Sequence, residues 1–360
     1  MRPILLPLLA FALSNLSAQT NDGAQTSQNN ERLRKGLEQF PQADTNKDGI
    51  LTMQEGLAFL AQMKKGGESA PTAKKQSGPA PSFADVSYGP HERNKLDFWQ
   101  AKSDKPTPVV VFIHGGGFRA GDKSNWQGKA ELKQLLDQGI SCAAINYRYL
   151  TQAPIQDILH DAAHAVQFIR SKSAEWNIDK AHIAAQGGSA GAGTSLWLAT
   201  RDDLADPAAN DPVLRESSRV CAAVINSTQA TYDLTRWESF LGPAQPEWFK
   251  SDEEGPQFYG LKTLADLKTD AGHKALAECD MLRWISKDDA PVLCTTGQPD
   301  GPITSRGQWL HHPKHAQEVK KCCDACSVPC TILSDGAGKA ENPTITFLLS
   351  NLKKDKAEAQ

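Results

Sequence analysis

The pentapeptide Gly187-Gly188-Ser189-Ala190-Gly191 contains the side chain best placed for chemistry, the hydroxyl of Ser189. The segment fits the pattern G-x-S-x-G, in which a sharp turn between a strand and a helix exposes a serine above a sheet. Glycines flank the serine because larger side chains would clash in so tight a turn. The pattern predicts Ser189 as the nucleophile of an acyl-transfer reaction. A purely structural glycine-rich turn is the alternative, and the strand and helix predicted on either side favour the nucleophile.

A second glycine-rich segment, HGGGF at residues 114–118, follows an apolar, β-branched run. Acyl transfer develops negative charge on the substrate carbonyl oxygen, and loss of one N–H donor to that oxygen typically costs about 3 kcal/mol. We predict an oxyanion hole formed by the N–H groups of Gly116, Gly117 and Ala190. His114 is expected to support the loop rather than to transfer protons. The alternative is a tight turn at a strand end that binds no ligand.

Strands and helices alternate along most of the chain, as in βαβ units. Short apolar runs predict strands, helical spacing predicts a helix over residues 155–175, and another helix begins at Ala190. The predicted strands cover residues 108–114, 140–147, 182–187, 220–225, 291–296 and 328–333. This order predicts an α/β fold with a mostly parallel central sheet and helices on both faces. The alternation lapses at about residues 231–289, where many aromatic residues predict a lid insertion over the active edge of the sheet.

The two glycine motifs, in this order and at this separation, resemble those of the α/β-hydrolase superfamily, in its hormone-sensitive-lipase and feruloyl-esterase-like (carboxylesterase) branch. The likeness covers about residues 84–350. It also includes Tyr88-Gly89, Leu96-Asp97 and Asn146-Tyr147-Arg148. The resemblance implies an α/β-hydrolase fold with an eight-stranded core sheet, hydrolysis of carboxylic esters and no cofactor for catalysis.

The resemblance also implies where a catalytic acid and histidine should lie. In this fold the acid follows the next-to-last strand and the histidine comes last in chain order. The sequence GQPD at residues 297–300 matches the G-x-x-D pattern of the family, so we predict Asp300 as the acid. The loop that holds the family's histidine reads GAGK at residues 336–339, and no histidine follows His315.

Three alternatives are open for the base. One histidine of the segment HHPKH can reach the serine, and among His311, His312 and His315 we favour His311 as the catalytic residue. Lys339 is the second candidate, which requires burial to lower a pKa of about 10.4. In the third, the chain has lost hydrolysis and keeps a binding pocket.

Residues 44–55, DTNKDGILTMQE, fit the calcium loop of an EF-hand position by position. Side-chain oxygens, one backbone carbonyl and a final bidentate carboxylate would bind the ion. The predicted ligands are Asp44, Asn46, Asp48, Ile50 and Glu55. The loop predicts a small helical EF-hand-like segment over residues 31–65, and the alternative is a polar turn that only resembles a calcium loop. Because the sequence shows one loop, we expect weak binding, with a Kd of about 10⁻⁴ to 10⁻³ M, and a role in structural ordering or in docking a calcium-dependent partner.

Residues 1–18 have the layout of a secretory signal peptide, with an early Arg2, a short apolar run and then small residues. We therefore expect a secreted or periplasmic protein without a stable membrane span. Residues 66–82 are rich in Gly, Pro, Ser and Lys, which predicts a linker. The hydrolase domain is predicted over residues 83–355.

The chain has eight cysteines, and four of them are clustered: Cys322, Cys323, Cys326 and Cys330. Their spacing favours a helix end that runs into a strand, with one or two local disulfide bridges, over a zinc site. The formal net charge is −3, and no basic run with interleaved aromatic residues indicates nucleic-acid binding.

These observations predict an exported serine carboxylic-ester hydrolase that acts on a small-molecule or carbohydrate-linked ester. The alternative is a catalytically impaired α/β-hydrolase-fold binding protein with a calcium-binding EF-hand. The intact serine turn and glycine loop favour the enzyme, since a binding protein has no evident need for them.

Overall fold

The computed structural model describes residues 26–28, 30–56, 58–59, 78–249, 254–334 and 342–353. The predicted signal peptide, Lys339 and most of the predicted linker lie outside the described residues. The chain divides into two compact units, Met1–Gln76 and Ser77–Gln360.

The first unit contains helix α1 (Glu31–Gln39), a 3₁₀ turn at Pro41–Ala43 and the loop predicted to bind calcium, which leads into a helical turn at residues 53–56. The apolar residues Leu33, Ala43, Leu51 and Phe59 form its small core. Thr26 pairs with Thr52 in an antiparallel bridge. The loop therefore packs on a core of its own.

The second unit is built on an eight-stranded sheet with the order β1-β2-β4-β3-β5-β6-β7-β8. The strands are β1 (Phe83–Ser87), β2 (Lys95–Trp99), β3 (Thr107–Ile113), β4 (Ser141–Ile145), β5 (Ile178–Gly188), β6 (Ala223–Asn226), β7 (Val292–Thr296) and β8 (Cys330–Ser334). Strands β3 to β8 are parallel, and β2 is antiparallel to both β1 and β4. The mostly parallel sheet confirms the predicted α/β-hydrolase fold.

Helices cover both faces of the sheet. They are α2 (Ala130–Asp137), α3 (Ile155–Ser171), α4 (Ala190–Thr200), α5 (Glu238–Leu241), α6 (Asp270–Cys279), α7 (Met281–Trp284), α8 (Arg306–His311), α9 (Pro313–Ala325) and α10 (Pro343–Leu352). Residues of α2 and α10 share one buried cluster with Val110, and residues of α3, α4 and α9 share the other with Val109 and Val111. Because both faces are covered, the parallel strands are continuous apolar runs rather than alternating ones.

The segment at residues 231–289 contains short helices and 3₁₀ turns, α5 to α7 among them. Of its aromatic residues, Tyr232, Trp237, Phe258 and Tyr259 are buried. Much of the predicted lid is thus packed against the body of the unit.

The cysteine cluster is a helix end that runs into a strand, as predicted, since α9 contains Cys322 and Cys323 and β8 begins at Cys330. The predicted local disulfides are wrong, because all eight cysteines are free thiols. The Sγ atoms of Cys294 and Cys330 lie 3.8 Å apart, well beyond the bonded distance of about 2.05 Å. No helix within the described ranges is long and apolar enough to cross a membrane.

Candidate active site

Ser189 lies in the turn between β5 and α4, with φ 54° and ψ −121°. This left-handed conformation is strained for a residue with a side chain, and it turns the chain sharply at the end of the strand. A Cβ on Gly191 would lie 2.0 Å from the carbonyl oxygen of Ile113, so the turn has room only for glycine there. The N–H of Ser189 donates to the carbonyl of Asn226 at 3.0 Å. The turn has the strand–turn–helix form that the sequence predicts.

His311, the last residue of α8, is the predicted base that the structure brings to the serine. Its Nε2 lies 3.5 Å from Ser189 Oγ, and its Nδ1 lies 2.9 Å from the carbonyl oxygen of Ser227. A carbonyl only accepts hydrogen bonds, so this contact, the shortest that Nδ1 makes, favours the proton on Nδ1 and directs the Nε2 lone pair toward the serine. Burial, together with the charge of nearby Arg306, lowers the pKa of His311. The imidazole is therefore neutral at neutral pH, as a general base must be.

The structure does not pair Asp300 with His311, which corrects the predicted acid. The side chain of Asp300 is 59% exposed. Its Oδ2 accepts a hydrogen bond from Gln317 at 2.8 Å, and its Oδ1 is 4.0 Å from His312 Nε2. The loop after β7 places Asp300 beside α9, and the Ser227 carbonyl occupies the position next to His311 Nδ1.

The other two candidate histidines have structural partners. His312 caps α9 by accepting from the N–H of Lys314, and its Nε2 is 2.9 Å from the carbonyl of Gly301. His315 is fully buried, and its Nδ1 accepts from the N–H of Ala230 at 3.1 Å. Neither ring is among the contacts of Ser189. Lys339, the remaining candidate, lies outside the described residues.

Gln229 is a residue of the site that the sequence motifs do not indicate. Its Nε2 donates to the carbonyl of Leu310 at 2.8 Å and lies 3.2 Å from His311 Nδ1. The amide therefore ties the end of α8 to the segment after β6. A single glutamine outside any motif gives no signal in the sequence.

The glycine loop faces the serine across a cavity. Gly117 and Ala190 line this cavity, and within the described part of the chain their N–H groups have no protein acceptor. Gly116, just before Gly117, has a φ of 112°, and a Cβ added to it would lie 2.2 Å from the carbonyl oxygen of Ala120. The geometry therefore leaves at least two of the three predicted donors available to a substrate oxygen.

The cavity has a volume of about 220 Å³. Its walls are mainly apolar and aromatic, and Glu254 forms an ion pair with Arg306 in the lining. The predicted lid contributes Tyr232, Leu234, Trp237, Glu254 and Phe258. A ligand that reaches Ser189 is thus surrounded by residues of this insertion.

The predicted calcium loop is folded by its own polar side chains. Asp44 is 7% exposed; its Oδ2 accepts from the N–H of Gly49 at 2.8 Å, and its Oδ1 is buried without a partner. Asp48 Oδ1 accepts from the N–H of Ile50 at 2.8 Å. Glu55 turns to Thr52, so the described residues contain no ready-made cluster of three metal-ligating side chains. The buried Asp44 oxygen nevertheless fits a cation, because an unpaired buried carboxylate oxygen is costly.

Comparisons with known proteins agree with the fold. The BD-FAE family profile matches residues 96–308. The truncated form of a carbohydrate esterase from gut microbiota superposes with a TM-score of 0.61 at 18% identity, over 78% of this chain and 99% of that one. An acetyl ester-xyloside bifunctional hydrolase from Caldicellulosiruptor lactoaceticus gives 0.54 at 18% identity, over 73% and 89%. At these identities the likeness concerns the fold alone.

Curated relatives match shorter parts of the chain. A probable isoprenylcysteine alpha-carbonyl methylesterase of Arabidopsis thaliana is 33% identical over 138 residues, which are 38% of this chain and 29% of the relative. The probable carboxylic ester hydrolase LipM of Mycobacterium tuberculosis is 32% identical over 163 residues, 44% and 37% of the two chains. Esterase LipC of the same bacterium is 31% identical over 221 residues, 60% and 50%. The chain thus spans half or less of the length of these relatives.

Proposed function

The chain belongs to the BD-FAE family, and from this premise we propose that it hydrolyses carboxylic esters with Ser189 as the nucleophile. The observation that carries the proposal is the 3.5 Å separation of Ser189 Oγ and His311 Nε2 at the wall of a cavity. The names of the relatives, which are esterases and carboxylic ester hydrolases, support the same reaction.

In the proposed mechanism, Ser189 Oγ attacks the acyl carbon while His311 Nε2 takes its proton. The carbonyl oxygen becomes negative and accepts hydrogen bonds from the N–H groups of Gly116, Gly117 and Ala190. When the tetrahedral intermediate collapses, His311 gives its proton to the leaving alcohol. Water then attacks the acyl-enzyme with His311 again as the base, and the carboxylic acid is released.

The Ser227 carbonyl takes the orienting position in this mechanism. In serine hydrolases with a triad, the acid holds the histidine in the tautomer that accepts the serine proton, and replacing aspartate by asparagine costs about 10⁴ in kcat through the wrong tautomer. The Ser227 carbonyl accepts from Nδ1 and so selects the productive tautomer without a carboxylate. Because it carries no full charge, it stabilises the imidazolium less than a carboxylate would.

The cavity favours a small substrate. Pockets for drug-sized ligands usually have about 300–1,000 Å³, and this one has about 220 Å³. Its aromatic walls fit a short acyl group or an aryl group. We propose a small-molecule or carbohydrate-linked ester as the substrate class, with the larger part of the alcohol outside the cavity.

We also propose that the protein is exported, to the periplasm or outside the cell, and that the loop at residues 44–55 binds calcium. The signal-peptide layout of the first residues supports export. The ligands would be the side chains of Asp44, Asn46, Asp48 and Glu55 and the carbonyl of Ile50. Bound calcium would neutralise these carboxylates and order the loop, which would then be available to a calcium-dependent partner.

The proposal of ester hydrolysis is tested with p-nitrophenyl acetate and p-nitrophenyl butyrate and the purified protein, beside the Ser189→Ala variant. We expect turnover by the unmodified chain and a background rate for the variant. Equal rates for both, or no turnover on these and on a panel of acetylated and aryl-acylated sugars, would contradict the proposal. That outcome favours the binding-protein alternative, for which the structural argument is that none of the described residues places a carboxylate beside His311.

A further inference from the structure

We propose that Arg93 is a positioning residue that holds the oxyanion loop through His114. The inference rests on the proposed ester hydrolysis and adds to it a residue from the turn between β1 and β2, outside both glycine motifs. Arg93 is not among the residues that line the cavity.

The guanidinium of Arg93 is bonded to both ends of the loop at residues 114–121. Its Nη2 is 3.4 Å from His114 Nε2 and donates to the carbonyl of Gly121, also at 3.4 Å. Its Nε donates to the carbonyl of Tyr147 at 2.8 Å, and its Cζ lies 3.7 Å from the centre of the Tyr149 ring. Together these contacts fix the orientation of the guanidinium.

The contact with Arg93 determines the tautomer of His114. A guanidinium only donates and stays protonated, so His114 Nε2 must accept. The proton is then on Nδ1, which lies 2.8 Å from the carbonyl oxygen of Gly115 and donates to it. Burial lowers the pKa of His114 to about 4, and the adjacent charge of Arg93 acts in the same direction, so the ring is neutral at neutral pH.

The fixed Gly115 carbonyl determines where the next N–H points. The Gly115 carbonyl and the Gly116 N–H belong to one planar trans peptide, in which the two bonds point in opposite directions. Holding the carbonyl toward His114 therefore turns the Gly116 N–H away from His114. Gly115 itself is closely packed, since an added Cβ would lie 2.6 Å from the carbonyl oxygen of Gly188.

The imidazole ring of His114 is packed closely between neighbouring residues. Tyr147 stacks on the imidazole with 4.3 Å between ring centres and donates its hydroxyl proton to the His114 carbonyl at 2.6 Å. On another side, a Cβ on Gly121 would lie 2.4 Å from Nδ1. The Gly121 carbonyl is also held by the Tyr149 hydroxyl at 2.6 Å. A loop fixed before the reaction needs no reorganisation when the oxyanion forms.

The test is Arg93→Met, with Arg219→Met as the matched control. Arg219 is also half-buried, and it bonds the carbonyl of Asp288 and the carboxylate of Asp289 at the opposite edge of the sheet, before β6 and β7. For Arg93→Met we expect kcat to fall about 10- to 100-fold with KM within threefold, because oxyanion stabilisation acts mainly in the transition state. Affinity for a trifluoromethyl ketone should fall by a similar factor, and Arg93→Lys should recover part of kcat. Arg219→Met should lower only thermal stability.

Two results would overturn the inference. One is a kcat of Arg93→Met within twofold of the unmodified enzyme, or a loss that merely follows the folded fraction as in Arg219→Met. The other comes from the ¹⁵N spectrum of the histidines, which does not depend on turnover. His114 should carry its proton on Nδ1 in the unmodified protein and lose this preference in Arg93→Met. An Nε2-protonated His114 in the unmodified protein would exclude the positioning of the loop by Arg93 through His114. Absence of Ser189-dependent turnover counts only against ester hydrolysis.

Discussion

The Nδ1 of His311 donates to the carbonyl oxygen of Ser227 at 2.9 Å, and that bond holds the Nε2 lone pair 3.5 Å from Ser189 Oγ. Ser227 itself has a positive φ of 50°, a conformation that is strained for a residue with a side chain. The pair Ser189–His311 therefore has a neutral backbone acceptor as its third member.

The pH dependence of kcat/KM should reflect this environment. Burial and the charge of Arg306 lower the pKa of His311, so the base stays neutral and active to a lower pH than the ordinary histidine value of about 6.5. We expect the acid limb of the profile with p-nitrophenyl acetate to have its midpoint below that value. A midpoint above 6.5 would show that a carboxylate stabilises the imidazolium and would contradict the assigned orientation.

The strained turn at Ser189 predicts a difference between two variants that both lack the hydroxyl. Glycine adopts positive φ without the penalty that a side chain incurs, so Ser189→Gly should be more stable than Ser189→Ala by about 1 kcal/mol in the free energy of unfolding. Both should be inactive. Urea unfolding measures the difference, and equal stabilities would mean that the turn relaxes when the hydroxyl is absent.

His315 should make stability depend on pH. Burial lowers its pKa to about 3, so in mildly acidic solution the unfolded chain binds a proton that the folded chain does not, and stability falls as pH decreases below about 6.5. In His315→Gln this loss is absent. The stability advantage of the unmodified protein at pH 7 should shrink by about 3 kcal/mol at pH 4, measured by denaturant unfolding. A constant difference between the two proteins would show that His315 is not held neutral.

The loop at residues 44–55 gives a prediction for calcium. Glu55 is hydrogen-bonded to Thr52 and Thr45 in the structure, and we expect it to rotate inward as the bidentate ligand. Calorimetry should give a Kd of about 10⁻⁴ to 10⁻³ M, weakened at least 10-fold by Glu55→Gln. Glu38→Gln, at an exposed position on α1, is the matched control and should bind as the unmodified chain does. Absence of saturable binding at 10 mM calcium (roughly tenfold above the weakest expected Kd) would reject the site.

Much of the fold could be predicted because its signals are local. The apolar run of β3 and the glycines around Ser189 are short segments whose conformation depends on neighbouring residues. The orienting group of His311 could not be predicted, since every residue has a backbone carbonyl and the sequence gives no sign of which one faces a ring. The G-x-x-D match indicated Asp300, whose loop the structure places beside α9 instead.

The cysteines illustrate the same limit. Their clustering along the chain suggested local bridges, yet Cys294, on the adjacent strand β7, has its Sγ 3.8 Å from that of Cys330. Sequence spacing gives loop lengths, whereas the distance between two sulfur atoms depends on strand register and side-chain direction. The proximity of Cys294 to Cys330 therefore follows from the pairing of β7 with β8 rather than from the spacing.

The central claim is that His311, without Asp300, activates Ser189. The most direct measurement is the rate at which an organophosphate ester such as diethyl p-nitrophenyl phosphate modifies the serine, and mass spectrometry detects the adduct. The unmodified protein should form one adduct, on Ser189. His311→Ala should slow the reaction at least 10³-fold, since a base of a catalytic unit contributes about 10³ to 10⁶, and Asp300→Ala should leave it within twofold. A large loss in Asp300→Ala, or no loss in His311→Ala, would contradict the account.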